Sequence, residues 1–543
     1  MRSRLLLLGA LLGAGLTTAV HTYARQESPA VSTHRFFHVQ LGDKQTQPVS
    51  GRLLLFVEPA AAAKAESQDG KITQVDADPL HPTQTSIAAQ EVDRLVPGQT
   101  VDIDVDAQTY PEAWSKLPAG DYVVQAVLDV HHNYNYLGRD AGDLVSDVVP
   151  VHWPDAGTAP IKLDATVPAR DPWALPDSVP APLRNAAKAV HEQAQPIDFV
   201  SPSLSQFWGR DIHMYGYVLL PPGYNAASGK RFPTVYFTHG FTSNKDRMLR
   251  FMAYMQAGMS SGQMPPMIWV FLDQSSATGT HEFADSVNNG PWGQALTAEL
   301  IPYLESKYHM DGNANGRFLN GHSSGGWATL WLQTRYPKIF GGTWSTSPDP
   351  SDFHDFTGPD LYAPQANVYH KPDGTPWPLV RDKGKVLGTF QQFAQMERVL
   401  GPYGGQMASF DWVFSPRGKD GRPEPMFDRD TGDVDPAVVA YWHDHYDIAY
   451  RLKSNWPVLK PDLDGKIHLY VGTADTFYLD GAAHRLKAVL DGLGAHAEFR
   501  FIPDRTHFDL YQVGDDRFGL FKDISWAMYA VARPQAAPKP KLN

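Results

Sequence analysis

Along the second half of the chain, short and wholly apolar segments alternate with segments of helical spacing. Residues 232–238 and 267–272 form continuous apolar runs, whereas 325–335 and 482–493 repeat their apolar positions every three or four residues. Strands that are apolar along their whole length are typical of parallel sheets covered by helices on both faces. The pattern therefore predicts an α/β domain over about 201–530.

The preceding region, about 31–165, has the two-residue alternation of half-buried strands. Residues 101–106 alternate apolar and acidic side chains, and 120–128 form a second strand-like run after a turn. We find no long amphipathic segment among them. The pattern predicts an all-β accessory domain, best described as a small sandwich. The proline-rich stretch 166–200 is expected to be a linker with one short helix.

Residues from about 350 to 455 interrupt the α/β alternation. They are rich in Pro, Gly, Asp and aromatic residues, and they suggest an insertion or lid over the active edge of the sheet. The aromatic residues allow an aromatic or glycan-linked substrate and are equally well explained as the core of the insertion: Phe353, Phe356, Tyr362, Trp377, Phe410, Trp412, Tyr441 and Trp442.

The first residues predict the compartment. Met1-Arg2-Ser3-Arg4 is basic, residues 5–16 are apolar, and small residues follow. This is the layout of a secretory signal peptide covering 1–24, and the apolar run is short for a bilayer span; an uncleaved anchor is the alternative. We expect a secreted or periplasmic protein with no stable membrane insertion after cleavage.

Composition excludes several classes of protein. The 543 residues carry a formal net charge of −12, which argues against a nucleic-acid partner because phosphate binding needs basic surfaces. The chain has no cysteine. Cysteine nucleophiles, thiolate metal sites, disulfides and a lipoprotein anchor are therefore excluded.

A candidate catalytic motif is Gly321-His322-Ser323-Ser324-Gly325, which fits Gly-x-Ser-x-Gly. A serine on a sharp strand-to-helix turn needs glycines two residues away on either side, because side chains there would collide. An apolar segment precedes the motif and a helical one follows it. The pattern predicts Ser323 as a nucleophile at the carboxyl end of a strand.

A serine nucleophile needs a base and an acid that orients the base. Asp475 follows the strand-like run 466–472 directly, and His507 lies in a loop after the last strong strand. This is the order Ser, Asp, His of α/β-hydrolases. Three other acids compete for the role of Asp475, although none follows a strand end so directly: Asp480, Asp504 and Asp509.

An oxyanion hole requires two backbone N–H donors. Ser324, the residue after the nucleophile, supplies one, and Phe241 after the 232–238 strand is our choice for the other. Gly240 would allow close approach, and both His239 and Gly240 are candidates for contact with substrate; for His239, a supporting role or a purely structural role is the alternative. Asp349 follows the next expected strand and is a candidate for contact with substrate, with turn stabilisation as the alternative.

Metal and cofactor sites are not predicted. His443-Asp444-His445 with Asp447 resembles a metal cluster, but a spacing of two residues places the histidines on different faces of a helix. The loop 131–136 is either a carbohydrate-binding loop or a loop that packs on the catalytic domain.

Several short elements resemble the putative serine esterase family, which includes the esterase D, enterochelin esterase and feruloyl esterase groups and the mycolyltransferases. They are Phe207-Trp208-Gly209-Arg210-Asp211-Ile212, Val218-Leu219-Leu220-Pro221-Pro222-Gly223-Tyr224, His239-Gly240-Phe241, Gly321-His322-Ser323-Ser324-Gly325-Gly326 and Asp504-Arg505-Thr506-His507-Phe508. The resemblance covers roughly 200–350 and 455–525. It implies an α/β-hydrolase fold, Ser323 as nucleophile, Asp475 as acid, His507 as base, and no cofactor.

The sequence thus predicts an exported serine hydrolase that cleaves a carboxylic ester of a small-molecule or glycan-linked substrate. Acyl transfer by the same residues is an alternative, because only the group that attacks the acyl-enzyme differs. Peptidase activity is a weaker alternative, and a non-catalytic binding protein on this scaffold is disfavoured by the complete set of Ser323, Asp475 and His507.

Overall fold

The computed structural model describes residues 34–67, 69–155, 157, 159–174, 179 and 181–536. The expected signal peptide, 1–24, lies outside the described residues, as does part of the expected linker. None of the described helices has the length and apolar character needed to cross a membrane.

Nine strands form one hydrogen-bonded sheet in the N-terminal region, with two short helices beside them. They are β1 (Phe36–Leu41), β2 (Val49–Pro59), α1 (Ala60–Glu66), β3 (Ser86–Leu95), β4 (Thr100–Asp104), β5 (Thr109–Tyr110), β6 (Gly120–Asp129), α2 (Tyr134–Leu137), β7 (Leu144–Ser146), β8 (Val149–Trp153) and β9 (Ile161–Thr166). The order is β4-β1-β9-β7-β6-β2-β3-β5, with β8 beside β6. All pairs are antiparallel except β1 with β9.

The two faces of this sheet bury different cores. Leu53 and Leu55 of β2 belong to an apolar cluster that also takes residues from β1, β4 and β9. Leu54 and Phe56 point to the opposite face and join a second cluster. The period of two along β2 therefore lets the sheet enclose its own core and also offer an apolar face to the rest of the molecule.

The remaining strands, in chain order, are β10 (Gln195–Val200), β11 (His213–Leu219), β12 (Thr234–Thr238), β13 (Ile268–Leu272), β14 (Ser275–Ser276), β15 (Gly279–Thr280), β16 (Asp285–Ser286), β17 (Gly290–Pro291), β18 (Arg317–His322), β19 (Gly342–Thr346), β20 (Pro378–Asp382), β21 (Lys385–Thr389), β22 (Ile467–Gly472) and β23 (Ala497–Ile502). Eight of them form the main sheet in the order β10-β11-β13-β12-β18-β19-β22-β23. From β13 to β23 all neighbours are parallel, whereas β10 and β11 pair antiparallel at one edge.

The helices that accompany this sheet are α3 (Ala181–Gln193), α4 (Pro202–Trp208), α5 (Leu249–Ser260), α6 (Trp292–Gln294), α7 (Ile301–Lys307), α8 (Ser324–Arg335), α9 (Phe390–Leu400), α10 (Gln406–Phe414), α11 (Pro436–Tyr446), α12 (Ile448–Leu463), α13 (Asp480–Gly492) and α14 (Gly519–Ala532). Val235 and Phe237 of β12 pack toward α5 and α14, and Tyr236 packs toward α7. Helices cover both faces of the sheet, which confirms the predicted α/β class.

The main sheet begins earlier in the chain than the sequence pattern indicated. The expected linker 166–200 contains α3 and β10, and β10 pairs with β11 as an edge strand. Pro196 lies within β10, opposite Tyr217. Proline lacks a backbone N–H and is tolerated at sheet edges, so its presence there does not end the strand.

The segment 350–455 holds more regular structure than its sequence suggested. It contains the β20–β21 ribbon, α9, α10 and α11. Residues on several sides of α10 are buried, including the consecutive Ser409, Phe410 and Asp411, so the helix lacks the exposed polar face that makes helical periodicity visible. Ring contacts of Phe414 and Trp442, with centroids 5.2 Å apart, contribute to an aromatic core inside the segment.

The N-terminal sheet packs against this segment through α9. Met396, Val399 and Leu400 join Phe56 in one buried cluster. Arg52 is 3% exposed, and its guanidinium donates hydrogen bonds of 3.0 and 2.7 Å to the carbonyl oxygen of Val399. Burial of both apolar and hydrogen-bonded groups joins the two regions into one body.

Candidate active site

Ser323 lies on a sharp turn between β18 and α8. Its backbone angles, φ 60° and ψ −127°, fall in a region that residues with a side chain rarely adopt. A Cβ at Gly321 would lie 2.2 Å from the carbonyl oxygen of Gly325, and a Cβ at Gly325 would lie 2.4 Å from that of Thr238. Only glycine fits at these two positions, so the local sequence permits the turn.

Asp475 and His507 meet beyond the carboxyl ends of β22 and β23. Nδ1 of His507 is hydrogen-bonded to Oδ2 of Asp475 at 2.9 Å. The other oxygen of Asp475 accepts hydrogen bonds from the amides of Phe477 at 2.9 Å and Leu479 at 3.4 Å. Both side chains are buried. With Nδ1 engaged, the second ring nitrogen, Nε2, remains the one that can exchange a proton with a ligand.

Two opposing effects set the pKa of Asp475. Burial alone would raise it, but the charge and the hydrogen bond of His507, together with the Phe477 amide, hold the pKa below its ordinary value. The carboxyl is therefore ionised at neutral pH and fixes the orientation of the imidazole.

Two of the three competing acids, Asp480 and Asp509, are engaged elsewhere. Asp480 forms an ion pair of 2.9 Å with Arg381. Asp509 accepts a hydrogen bond of 2.6 Å from the amide of Thr506. Among the four candidate acids, all within the described residues, Asp475 alone is hydrogen-bonded to the His507 ring.

The hydroxyl of Ser323 points toward Asp349. Ser323 Oγ lies 3.5 Å from Oδ1 of Asp349, and Ser324 Oγ donates to Oδ2 at 2.7 Å. Gln406 of α10 lies 3.4 Å from the same Oδ2. Among the hydrogen bonds of the described residues, none joins Ser323 to His507.

Asp349 lies in an unfavourable place for a charge. It is 6% exposed, and burial raises its pKa to about 6 against the opposing effect of the Ser324 hydrogen bond. Glu282, fully buried nearby, has its pKa raised well above the usual range by burial and by the charge of Asp349. The surroundings of Ser323 thus raise the pKa of two carboxyl groups, Asp349 and Glu282, and lower that of a third, Asp475.

The loop after β12 approaches Ser323 closely. A Cβ at Gly240 would lie 2.8 Å from Cβ of Ser323, so the backbone of the loop runs directly beside the serine. Phe241 follows in this loop. Ser324 is the first residue of α8, where helix N–H groups have no acceptor within the helix. Both amides therefore belong to backbone segments next to Ser323.

His239 supports this loop from behind. Its Nδ1 lies 2.8 Å from the carbonyl oxygen of Gly240, and its Nε2 lies 3.0 Å from Asp273, which follows β13. Burial would raise the pKa of Asp273, but His239 and Ser275 lower it to about 2. His239 does not belong to the described residues that line the cavity at Ser323.

A cavity of about 460 Å³ opens at Ser323. It is bounded by the loops that carry Phe241, Asp349 and His507, by α9 and α10, and by a turn of the N-terminal region. Its lining residues are Pro79, Leu80, Gly240, Phe241, Thr242, Ser243, His322, Ser323, Asp349, Pro350, Thr357, Leu379, Phe393, Gln406, Met407, Phe410, Phe477, Leu479, His507 and Phe508. Most of this surface is apolar, and no lysine or arginine is among the described residues that form it.

The residues that resembled a metal cluster have other contacts. Asp447 accepts a hydrogen bond of 2.7 Å from the phenol of Tyr362 and caps α12 through the amide of Tyr450 at 2.8 Å. His443 contacts its neighbour Asp444 at 2.8 Å. Within the described part of the chain, no group of three or more His, Cys, Asp or Glu side chains could hold a metal ion.

The sequence match to a known family agrees with this geometry. Residues 205–489 match the family described as putative esterase. The chain belongs to this family. The match includes Ser323 and Asp475, whereas His507 lies beyond its end, and the domain that holds them has the α/β-hydrolase fold.

Individual relatives are distant. Esterase Rv1288 of Mycobacterium tuberculosis is 30% identical over 142 residues, which are 26% of this chain. The matched stretch spans 30% of the length of that protein. A solved ferulic acid esterase is 15% identical, covering 62% of this chain and 99% of its own, with a TM-score of 0.36. An S-formylglutathione hydrolase from Agrobacterium tumefaciens is 12% identical, covering 63% and 95%, with a TM-score of 0.38.

Several residues of the site carry no local sequence signal. Pro79 and Leu80 come from the N-terminal region, and Gln406 comes from the insertion. Glu282 lies in a loop with no motif. The place of Pro79, Leu80 and Gln406 on the cavity wall, and of Glu282 near Asp349, depends on how distant parts of the chain pack, which no spacing rule reveals.

Replacing Asp349 should stabilise the protein in a pH-dependent way. The pKa of Asp349 rises from an ordinary 3.8 to about 6 on folding, so the unfolded chain ionises first. The folded protein therefore loses stability relative to the unfolded chain as pH rises from 3.8 through about 6. We expect Asp349→Asn to raise the free energy of unfolding by up to about 3 kcal/mol at pH 8, with a much smaller gain at pH 4.5.

Urea denaturation at the two pH values measures this difference, with the exposed Asp211→Asn as control. An equal effect of Asp349→Asn at both pH values would contradict the raised pKa, because it would show that the carboxyl of the folded protein is already ionised at pH 4.5.

Proposed function

We propose that this protein is an exported serine esterase in which Ser323 is the nucleophile, His507 the base and Asp475 the acid that orients the base. The observation that carries the proposal is the buried Asp475–His507 pair, whose histidine lines the same cavity as the strained Ser323. Membership of the putative esterase family supports ester hydrolysis.

The reaction would use Ser323, His507 and two backbone amides. Ser323 Oγ attacks the acyl carbon while Nε2 of His507 takes its proton, and the amides of Phe241 and Ser324 stabilise the oxyanion. The protonated His507 then gives the proton to the leaving alcohol. Water, activated by the same imidazole, attacks the acyl-enzyme, and the proton returns to Ser323 when the acid leaves.

The free enzyme needs one small rearrangement before it can react. Ser323 Oγ contacts Asp349 at 3.5 Å, so its hydroxyl must turn toward His507 when substrate binds. Hydrogen bonds of catalytic groups are often long in unliganded enzymes and form fully in the substrate complex. Asp349 then remains bonded to Ser324 Oγ and supports the start of α8.

The cavity supports an ester with an uncharged and largely apolar acyl group. Leu379, Phe393, Met407, Phe410 and Phe477 are among the side chains on its wall. The volume of about 460 Å³ lies within the range of roughly 300–1,000 Å³ that is usual for small-molecule pockets. A carboxylate or phosphate on the acyl group would find no lysine or arginine among the described lining residues.

Export follows from the basic and apolar start of the chain, 1–24. N-terminal sequencing of the protein recovered from medium or periplasm should begin at Val20 or Arg25, or close to them. A product that stays in the membrane with Met1 intact would favour the anchor.

Labelling by a fluorophosphonate tests the nucleophile. We expect the mature protein to be labelled with one equivalent and Ser323→Ala to remain unlabelled. Ester hydrolysis by Ser323→Ala should fall by on the order of 10⁴-fold or more, because the attacking oxygen is lost. The exposed Ser306→Ala is the matched control and should label like the wild type. Equal labelling of Ser323→Ala would overturn the assignment.

A substrate panel then divides the classes of reaction. We expect turnover of p-nitrophenyl acetate and of a feruloyl ester, and none of a peptide amide. Added alcohol should leave the yield of free acid unchanged if water resolves the acyl-enzyme. A new ester that forms in proportion to the alcohol would favour acyl transfer instead.

A further inference from the structure

The loop that carries Phe241 is held by the N-terminal domain, from α2. Tyr136, 3% exposed, donates a hydrogen bond from its phenol to the carbonyl oxygen of Ser243. Its ring packs edge-on against Phe241, with centroids 5.3 Å apart and planes at 86°. Burial, helped by the charge of Asp273, raises the pKa of Tyr136 well above its usual value, so the phenol stays a donor.

A second contact joins the same two parts. The guanidinium of Arg247 donates to the carbonyl oxygen of Leu137 at 2.9 Å and also to that of Thr242. Thr242 has φ 62°, which is strained for a β-branched residue. Strain of this kind persists only where surrounding contacts enforce it. Here Arg247 binds the carbonyl oxygen of Thr242 itself. Tyr136 contacts the residues on either side of it, Phe241 and Ser243.

The other side of α2 rests on the insertion. Asn135 donates hydrogen bonds of 2.8 Å to the carbonyl oxygens of Glu397 and Gly401. A Cβ at Gly404 would lie 3.3 Å from Cβ of Tyr136. The short helix is therefore held between the insertion and the loop, and it cannot move away from the loop without breaking these contacts.

The N-terminal domain also forms part of the cavity wall. Pro79 and Leu80 line the cavity, and Leu80 packs against the apolar cluster that contains Phe410. Pro82 lies against Gly388 of β21, where a Cβ would come within 2.8 Å. Two separate turns of this domain thus reach the site, one at the wall and one at the loop beside Ser323.

We propose that the N-terminal β domain contributes to the active site. In this proposal Tyr136 is the positioning residue that holds the Phe241 amide in place for the oxyanion. This inference rests on the proposed serine esterase function. Because Gly240 abuts Ser323, a loop that moves without its Tyr136 anchor shifts the Phe241 N–H relative to the reacting carbonyl. Such a shift weakens stabilisation of the transition state and leaves substrate binding in the apolar cavity largely intact.

The test compares Tyr136→Phe with Tyr122→Phe. Tyr122 belongs to the same domain, and its phenol likewise donates to a backbone carbonyl, that of Pro118 at 2.9 Å. With p-nitrophenyl acetate we expect Tyr136→Phe to lower kcat about tenfold, less than the roughly 10²–10³-fold loss of a whole oxyanion donor. KM should stay within about twofold, and labelling by fluorophosphonate should remain complete. Tyr122→Phe should keep the wild-type kcat.

Arg247→Gln is the second variant, because Arg247 is exposed and its replacement should not disturb folding. We expect a smaller fall in kcat in the same direction. A wild-type kcat in both variants, or a loss of rate matched by an equal loss of labelled sites, would overturn the inference. If Ser323→Ala itself stays active, the proposed function fails instead, so the two failures are distinguishable.

Discussion

The left-handed backbone of Ser323 is the constraint on which the site depends. A residue with a side chain at φ 60° carries about 1–3 kcal/mol of strain, and it persists only because packing enforces it. Here Gly321, Gly325 and Gly240 let three backbone segments approach more closely than any Cβ would allow. The same contacts that strain Ser323 bring the loop after β12 and the first turn of α8 to its side. Ser323 and the two backbone segments that carry the candidate oxyanion donors are thus placed by the same contacts.

The carboxyl groups near Ser323 differ because their surroundings differ. Asp475 is compensated by His507 and two amides and stays ionised, whereas Asp349 has hydroxyl and amide partners and favours protonation up to about pH 6. Environments that push the pKa values of neighbouring acids apart assign them different roles. In this account Asp475 supplies the negative charge that stabilises protonated His507, and Asp349 organises the hydroxyls of Ser323 and Ser324 without adding a full charge beside the oxyanion at acidic pH.

Local patterns predicted the α/β domain and the candidate residues because each follows a strand end in a fixed order along the chain. The structure places Ser323, Asp475 and His507 at one edge of the sheet for the same reason. Other features escaped prediction because they depend on contacts between distant segments. Tyr136 meets Ser243 across more than a hundred residues, which no spacing rule captures. The helix α9 did have a local signal, the capping box from Thr389 to Gln392. The overall composition of the segment 350–455, rich in Pro, Gly, Asp and aromatic residues, favoured an irregular insertion instead.

A crystal structure of the protein after reaction with an alkyl phosphonate tests the central claim most directly, because the phosphonyl group mimics the tetrahedral intermediate. The account predicts phosphorus bonded to Oγ of Ser323 and the phosphoryl oxygen about 2.7–3.1 Å from the amides of both Phe241 and Ser324. It also predicts Nε2 of His507 within hydrogen-bonding distance of Ser323 Oγ, with the bond to Asp475 unchanged. An adduct on another residue, or a phosphoryl oxygen that contacts neither amide, would contradict it.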